Sequence, residues 1–246
     1  MDKYIVANWK MNKDFADIEP YAEYLKANLK NKNNVVVCVP HVMLKTFADA
    51  ANGEFETGGE NCYFAEKGTF TGETSASMVK SAGANYVLVG HSERRKIFGE
   101  TNEMVSKKVV AALSAGLTPI FCIGETLEQR DNFEEVLKAQ LVEGLAGVED
   151  LSKVLVAYEP VWAISKGKVE SGANSKVATL DDIKITHKYI KEQLKEIFGV
   201  DLPVLYGGSV DPVNCTNILG LEDVGGVLVG GACLKEDSFT AIANSR

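Results

Sequence analysis

The 246-residue chain lacks the paired cysteines that mark disulfide frameworks and zinc sites. Its five cysteines are scattered and odd in number, and no two of them form a Cys-x-x-Cys pair: Cys38, Cys62, Cys122, Cys215 and Cys233. We therefore expect no metal site, and reduced thiols in a cytoplasmic protein are the simplest interpretation.

Long apolar runs and positive charge are also scarce. No apolar run approaches the roughly 18 residues of a membrane-spanning helix. Residues 1–6 lack the apolar stretch of a signal peptide. The 34 acidic side chains exceed the 26 basic ones, which gives a net charge of −8. This balance argues against non-specific binding to nucleic acid or a membrane surface, so an anionic substrate would need local cations and helix ends.

Short apolar runs alternate with longer segments of helical periodicity. The runs are continuously apolar, which predicts parallel strands buried on both faces. The eight predicted strands are residues 4–8, 35–39, 55–59, 86–90, 118–123, 154–159, 203–206 and 226–229. Helical spacing marks residues 18–29, 102–113, 127–145, 180–198 and 239–243. Gly116 and Gly199 follow two of these segments, where a helix end is expected.

Eight strand–helix units with no Pro/Ser-rich linker predict a single α/β domain over residues 1–246, a closed (β/α)8 barrel. The alternative architecture is an open, doubly wound sheet. Its dinucleotide fingerprint, Gly-x-Gly-x-x-Gly after the first strand, is absent, because that strand ends in Asn8-Trp9-Lys10.

Polar residues at strand ends are the first candidates for chemistry, since barrel enzymes act at the carboxyl ends of their strands. Asn8 and Lys10 end the first strand and stand two residues apart, so extended backbone points both to the same side. Together they offer an amide and a cation. A solvated lysine beside a strand-end turn is an equally open interpretation.

His91 follows the fourth strand and opens a helical segment at Ser92. The positive end of a helix dipole disfavours imidazolium, so the ring is expected to be neutral and able to donate to a carbonyl. A structural histidine is the alternative. His41 and His187 are interpreted as structural, because neither follows a strand into a helix beside other candidates.

Glu159 stands at the tip of the sixth strand, and Pro160 then turns the chain away because it cannot donate a ladder hydrogen bond. Apolar cover from Tyr158 and Trp162 is expected to raise the pKa of Glu159 and strengthen it as a base. The Gly/Ser/Lys-rich loop that follows is typical of a lid. A surface carboxylate is the alternative.

Gly207-Gly208-Ser209 and Gly230-Gly231 follow the last two strands, near the predicted starts of short helices. Backbone N–H groups at such glycines can hold a phosphate, with the helix dipole adding attraction. Two ordinary tight turns are the alternative.

These motifs, taken together and in order, resemble the triosephosphate isomerase family. The matching runs extend over nearly the whole chain: Ala7-Asn8-Trp9-Lys10-Met11-Asn12, Gly90-His91-Ser92-Glu93-Arg94-Arg95, Cys122-Ile123-Gly124-Glu125, residues 157–164, Tyr206-Gly207-Gly208-Ser209-Val210 and Leu228-Val229-Gly230-Gly231.

The resemblance implies a TIM barrel that interconverts dihydroxyacetone phosphate and D-glyceraldehyde 3-phosphate through an enediolate, in glycolysis and gluconeogenesis and linked to pentose phosphate metabolism. It implies no cofactor and no metal. Glu159 would be the base, His91 the electrophile and Lys10 the cation that stabilises the enediolate. Asn8 would hydrogen-bond the reacting oxygens. The phosphate- and substrate-binding set would be Asn8, Trp9, Lys10, Ser165, Ser209, Gly230 and Gly231.

The resemblance also implies a homodimer, joined through the loop around Thr71-Gly72-Glu73, whose tip would pack near the partner's Asn8 and Lys10. A merely exposed loop is the alternative, but a monomer would leave Phe64 and Phe70 uncovered. Glu93 and Cys122 match positions that support the site in the family.

The lid departs from the family pattern. Its first hinge, Pro160-Val161-Trp162, is intact, but the second matches at Lys176-Val177-Ala178, which makes residues 163–177 about eight residues longer than usual; Lys168-Val169-Glu170 is the other candidate for that hinge. Ser165 is the first candidate for a lid N–H that binds phosphate, with Gly167 and Gly172 as others. Closing the longer loop costs roughly 1 kcal/mol more in conformational entropy. Because this cost is small, we predict an active enzyme.

Two rival functions remain at this point. Another aldose–ketose isomerase of a phosphorylated metabolite would keep the Gly207-Gly208 and Gly230-Gly231 turns but have different residues at the ends of strands one, four and six. A catalytically weak barrel that serves as a binding or scaffold protein would be expected to lose Lys10, His91 or Glu159, and all three are present.

Overall fold

A computed structural model describes residues 2–30, 33–164 and 177–245. Its strands form one closed parallel barrel in chain order, with the last strand hydrogen-bonded back to the first. The predicted (β/α)8 barrel is therefore confirmed. The strands are β1 (Tyr4–Asn8), β2 (Asn34–Val39), β3 (Glu56–Gly59), β4 (Tyr86–Val89), β5 (Thr118–Ile123), β6 (Leu155–Tyr158), β7 (Val204–Tyr206) and β8 (Gly226–Val229).

Helices between the strands form the outer layer. In the described part of the chain they are α1 (Phe15–Asn28), α2 (His41–Ala51), α3 (Ala76–Ser81), α4 (Ser92–Phe98), α5 (Asn102–Ser114), α6 (Phe133–Gly144), α7 (Leu180–Phe198), α8 (Cys215–Leu219) and α9 (Glu236–Ala243). Short 3-10 turns cover Arg130–Asn132, Val161–Ala163 and Gly231–Leu234. None of the described helices combines the length and apolar character needed to cross a bilayer.

Alternate residues of each strand serve two separate cores. In β1, Val6 points into the barrel interior, whereas Ile5 and Ala7 pack against the helices. Successive side chains of a strand point to opposite faces, so a strand buried on both faces must be apolar at every position. This burial is the physical reason for the continuous apolar runs.

The predicted strands agree closely with the structure. β1, β5 and β8 have the predicted bounds, and the other five differ by one residue at one or both ends. The helix predicted over 180–198 is α7, which begins with a capping box between Thr179 and Asp182. It ends at Gly199, where φ is +67°, and Gly116 has φ of +75° after α5, so both predicted helix stops are confirmed.

One predicted helix start was wrong, and two helices, α2 and α3, were not predicted. The helix predicted from residue 127 begins at Phe133, because Arg130–Asn132 form a 3-10 turn in which Arg130 is held by Glu125 and Asp182. The helix α2 was not predicted. Its buried residues nevertheless have helical spacing: Met43, Leu44, Phe47 and Ala51.

His187 lies inside the outer layer, on α7. Its ring packs edge-on against Tyr158, with 5.8 Å between centroids, and near Tyr206 at 6.2 Å. Nδ1 lies 3.3 Å from the carbonyl oxygen of Asp223, while Nε2 has no partner in the described protein. Burial lowers the pKa of His187 from 6.5 to about 4. The folded protein therefore holds this ring neutral, in keeping with the structural interpretation.

This pKa predicts acid destabilisation. Between pH 6.5 and about 4 the unfolded chain binds a proton at His187 that the folded chain does not, so stability falls as pH falls through that range. From pH 7 to pH 5 the loss from this group is about 2 kcal/mol. Urea denaturation at fixed protein concentration, at both pH values, should show a drop smaller by that amount in His187→Phe. An equal drop in both proteins would contradict the assignment.

Candidate active site

A cavity of about 320 Å³ opens at the carboxyl ends of the strands. It gathers residues that are far apart in the sequence, because every strand of a closed parallel barrel ends on the same rim. All but two of the predicted site residues line it: Asn8, Lys10, His91, Glu159, Ser209, Gly230 and Gly231.

Lys10 is held in a left-handed backbone conformation just after β1. Its φ is +53°, which costs a non-glycine residue about 1 kcal/mol or more. The Lys10 N–H donates to Oδ1 of Asn8 at 3.2 Å, so the amide stabilises the turn. The ammonium pairs with Oε1 of Glu93 at 2.6 Å, and a Cβ placed on Gly230 would lie 3.9 Å from Nζ. The cation therefore lies at the mouth between Glu93, after β4, and the end of the neighbouring strand β8.

His91 precedes α4 and caps its N-terminus. Nδ1 accepts from the Glu93 backbone N–H at 3.2 Å, so in the neutral ring the proton is on Nε2. Nε2 lies 2.8 Å from Oε1 of Glu159. The one ring N–H of the neutral form thus points into the mouth.

Glu159 directly follows β6 and is 2% exposed. Its second carboxylate oxygen accepts from the Ser92 backbone N–H at 2.8 Å. The Glu159 N–H donates to Ile123 at 2.7 Å, which continues the β5–β6 ladder past the end of the strand. The carboxylate is therefore bonded to both the histidine and the start of α4.

The pKa values of this pair shift in opposite directions. Burial raises the pKa of Glu159, as the sequence predicted, but the charge of His91, the hydrogen bonds from His91 and Ser92 and the charge of Lys10 outweigh it, and the net shift is downward. Burial lowers the pKa of His91, and the Glu159 carboxylate raises it by more. The predicted rise in the pKa of Glu159 was wrong, because apolar cover alone does not describe a carboxylate with three polar neighbours.

Gly207-Gly208 and Gly230-Gly231 both lie at the mouth, but the helix after β7 starts later than predicted. After β8, the 3-10 turn Gly231–Leu234 begins at once, and a Cβ on Gly231 would meet no atom of the described residues within 4 Å. After β7, α8 begins only at Cys215, since Asp211 and Asn214 first form a turn in which the Asp211 carboxylate accepts from the Asn214 N–H at 2.9 Å.

Two predicted binding residues are not placed at the mouth. The Trp9 ring is fully buried in the outer layer, with centroids 4.9 Å from Tyr21 and 4.8 Å from Phe47. Its side chain thus points away from the cavity, as alternation along the strand requires when Asn8 and Lys10 face it. Ser165 lies outside the described residues, as do Gly167, Gly172, the alternative second hinge Lys168-Val169-Glu170, and Lys176 of the first-choice hinge.

The first hinge of the lid is hydrogen-bonded to a buried carboxylate that was not among the predicted site residues. Glu125 follows β5 and is fully buried. One of its oxygens accepts from Trp162 Nε1 at 2.8 Å, from the Tyr158 hydroxyl at 2.9 Å and from Arg130 at 2.9 Å. Through Arg130, which also bonds Asp182 at 2.9 Å, this contact links the hinge to the first turn of α7.

Other residues near the mouth were missed because only five of the eight strand ends were considered. β2 leads through Pro40 into α2 at His41, so His41 does follow a strand into a helix; its Nε2 lies 2.7 Å from the carbonyl oxygen of Asn61. β3 leads to Glu60, whose pKa is raised to about 8 by burial. Both line a second cavity, of about 410 Å³, together with Lys10 and His91. The rule that found Glu159 would have found them at the ends of β2 and β3.

Metal-binding groups were also sought. Within residues 2–30, 33–164 and 177–245, no cluster of three or more His, Cys, Asp or Glu side chains is arranged to hold a metal ion.

The family model for triosephosphate isomerase matches residues 3–246. The chain belongs to the triosephosphate isomerase family. A triosephosphate isomerase of Finegoldia magna is 41% identical over 252 aligned residues, covering 98% of this chain and 97% of the relative. One of Bacteroides fragilis is 42% identical over 259 residues, covering 100% and 99%.

A solved member of the triosephosphate isomerase family has the same fold. The crystal structure of triosephosphate isomerase from Bartonella henselae matches with a TM-score of 0.88 and 35% identity, covering 99% of this chain and 98% of that one. The family resemblance inferred from the sequence motifs is thereby confirmed.

Replacing Glu125 should destabilise the fold near the hinge. Glu125→Leu leaves Trp162, Tyr158 and Arg130 without their acceptor and should cost roughly 2–4 kcal/mol of unfolding free energy. Glu125→Gln retains an acceptor oxygen and should cost less. Urea denaturation followed by tryptophan fluorescence measures both, since the chain has two tryptophans. Equal stability of the two variants would show that these hydrogen bonds contribute nothing.

Proposed function

We propose that the protein interconverts dihydroxyacetone phosphate and D-glyceraldehyde 3-phosphate, in glycolysis and gluconeogenesis and in the pentose phosphate metabolism linked to them. Its family membership makes it an aldose–ketose isomerase, an intramolecular oxidoreductase. The observation that carries the proposal is the convergence of Lys10, His91 and Glu159 on one cavity of about 320 Å³.

In the proposed reaction, Glu159 removes a proton from the carbon next to the substrate carbonyl. The electrons of that C–H bond form the double bond of an enediolate, and the carbonyl oxygen becomes negative. The hydroxyl proton on the first carbon's oxygen then passes to the negative oxygen by way of His91. Glu159 returns its proton to the adjacent carbon, and the deprotonated first oxygen becomes the new carbonyl. In the free enzyme the lowered pKa of Glu159 keeps the carboxylate ionised at neutral pH and ready to accept the proton.

Lys10 and His91 would stabilise the negative oxygen. An enediolate in a partly dehydrated cavity gains most from preorganised donors, and the Nε2–H and the ammonium are two such donors. Substrate entering between His91 and Glu159 would replace their 2.8 Å contact. It would also remove the charge contact that raises the pKa of His91, which favours the neutral ring bonded through Nδ1 to the Glu93 N–H.

The phosphate would lie at the side of the cavity formed by the residues after β7 and β8, next to Lys10. Gly230, Gly231 and Ser209 offer backbone there, and the absence of any described atom within 4 Å of a Cβ on Gly231 supports close approach of an anion. Asn8 would contact the reacting oxygens. Ser165 would supply a further N–H from the lid, and Trp9 would contribute by packing that fixes the end of β1, between Asn8 and Lys10.

Shortening the base tests the proposal. Glu159→Asp keeps the charge but withdraws the carboxylate by one methylene, about 1.5 Å, which should lower kcat about 100-fold or more. KM should change little, because the phosphate contacts remain. A coupled assay for dihydroxyacetone phosphate measures turnover, and circular dichroism should show an unchanged fold. Near-normal turnover in a folded variant would remove Glu159 from the role of base.

We also propose that the protein is a homodimer of single-domain subunits, each comprising residues 1–246. The loop of residues 60–75 supports this, since its ends are tied by the Tyr63 N–H to Thr74 at 2.8 Å, while Phe70 at its tip is 42% exposed. Met11 and Phe98, beside the second cavity, are 96% and 65% exposed. A partner's loop would cover these apolar groups. The five free, buried cysteines support a reducing, cytoplasmic location.

The dimer has a direct test. Sedimentation should give twice the 26.6 kDa chain mass for the wild type and the single chain mass for Phe70→Asp. The matched control is Ile185→Asp, which places the same charge on a 58% exposed apolar residue of α7. The control should remain dimeric. A wild type that sediments as a monomer at micromolar concentration would overturn the dimer without affecting the proposed reaction.

A further inference from the structure

Gln140, on α6, makes a pair of hydrogen bonds to the backbone of a single residue, Gly124. Its Oε1 accepts from the Gly124 N–H at 2.7 Å, and its Nε2 donates to the Gly124 carbonyl oxygen at 2.9 Å. A side-chain amide thus takes both backbone groups of Gly124, in the way that a neighbouring strand would.

The position of Gly124 in the sheet explains why it needs this partner. Ile123 and Glu125 both accept from β6 and its extension, from Glu159 at 2.7 Å and Val161 at 3.0 Å. Since successive residues of a strand direct their N–H and C=O groups to alternate sides, those of Gly124 point toward β4. β4 has already ended at Val89, so Gln140 takes its place.

Gly124 is in direct contact with the backbone of Glu159. A Cβ on Gly124 would lie 1.8 Å from the Glu159 carbonyl oxygen and 3.3 Å from its Cα. No side chain or gap separates the two backbones. On the other side, a Cβ on Gly207 would lie 2.9 Å from Cγ of Glu159. Any shift of Gly124 must therefore move Glu159, because close-packed interiors transmit displacement.

Gln140 itself is outside the described lining of the site cavity and instead faces a cavity of about 320 Å³ behind Glu159. It can act on the reaction only through the backbone it holds. We propose that Gln140 is a positioning residue for the Glu159 base, acting through the peptide groups of Gly124. The inference rests on the proposed role of Glu159 and adds a determinant of its placement.

The test replaces Gln140 by methionine, which has nearly the same shape but bonds to neither group of Gly124. A small misplacement of the base should lower kcat about tenfold, while KM stays within about twofold because the phosphate corner is untouched. The matched control is Gln193→Met on α7, where a buried amide donates only to Glu196, at 3.2 Å. Its kcat and KM should equal those of the wild type.

A readout independent of turnover separates positioning from general loss of structure. A three-carbon phosphate bearing an epoxide is opened by a carboxylate: an ester C–O bond forms, the epoxide C–O bond breaks, and the released alkoxide takes a proton. Its rate of inactivation therefore reports the reach of Glu159. Inactivation of Gln140→Met should slow in proportion to its loss of kcat, while protection by inorganic phosphate is unchanged.

The outcomes are distinct. An inactive wild type would reject the proposed function itself. An active wild type together with unchanged kcat and inactivation in Gln140→Met, or with equal kcat losses in Gln140→Met and Gln193→Met, would overturn the role of Gln140 alone. If Gln140→Met does not fold, Gln140→Glu keeps the acceptor for the Gly124 N–H, and the same kcat loss at constant KM is the criterion.

Discussion

Hydrogen bonding between β8 and β1 is the constraint on which the rest of the structure depends. Once that pairing closes the sheet, the carboxyl ends of eight strands share one rim, and residues more than 200 positions apart become neighbours. Gly226 permits the closure, because a Cβ there would lie 2.0 Å from the carbonyl oxygen of Tyr4. Lys10 meets Gly230 across this seam. An open sheet of the same strands would leave the first and last at opposite edges.

The mouth reconciles a net charge of −8 with an anionic substrate by holding its few charges in defined contacts. The Lys10 ammonium is paired with Glu93, and the Glu159 carboxylate with His91 and the Ser92 N–H. Of these groups, the Glu159 carboxylate is buried, and a buried charge is tolerated when it has such partners. The same contacts set the directions of the pKa shifts, so the charge states of the site are inseparable from its hydrogen bonds.

The sequence predicted the barrel because burial on both faces leaves a signal in every strand. It predicted Lys10, His91 and Glu159 because each lies within two residues of the end of a strand. Trp9 was predicted to bind substrate together with Asn8 and Lys10. Side chains alternate along a strand, however, so the Trp9 ring points to the opposite face. The lowered pKa of Glu159 depends in part on the hydrogen bond from the Ser92 N–H. The contact of Gln140 with Gly124 depends on β4 ending before it can pair with Gly124. Both arise from tertiary placement, which spacing in one sequence does not express. The lid residues 165–176 remain a matter of prediction.

The left-handed backbone at Lys10 has a consequence for how this chain can change over time. Glycine would occupy that conformation without penalty, so replacement there relaxes the scaffold while deleting the ammonium from the mouth. An unstrained backbone and a catalytic ammonium are therefore mutually exclusive at this one position. Lysine at this position therefore retains the ammonium at the cost of backbone strain.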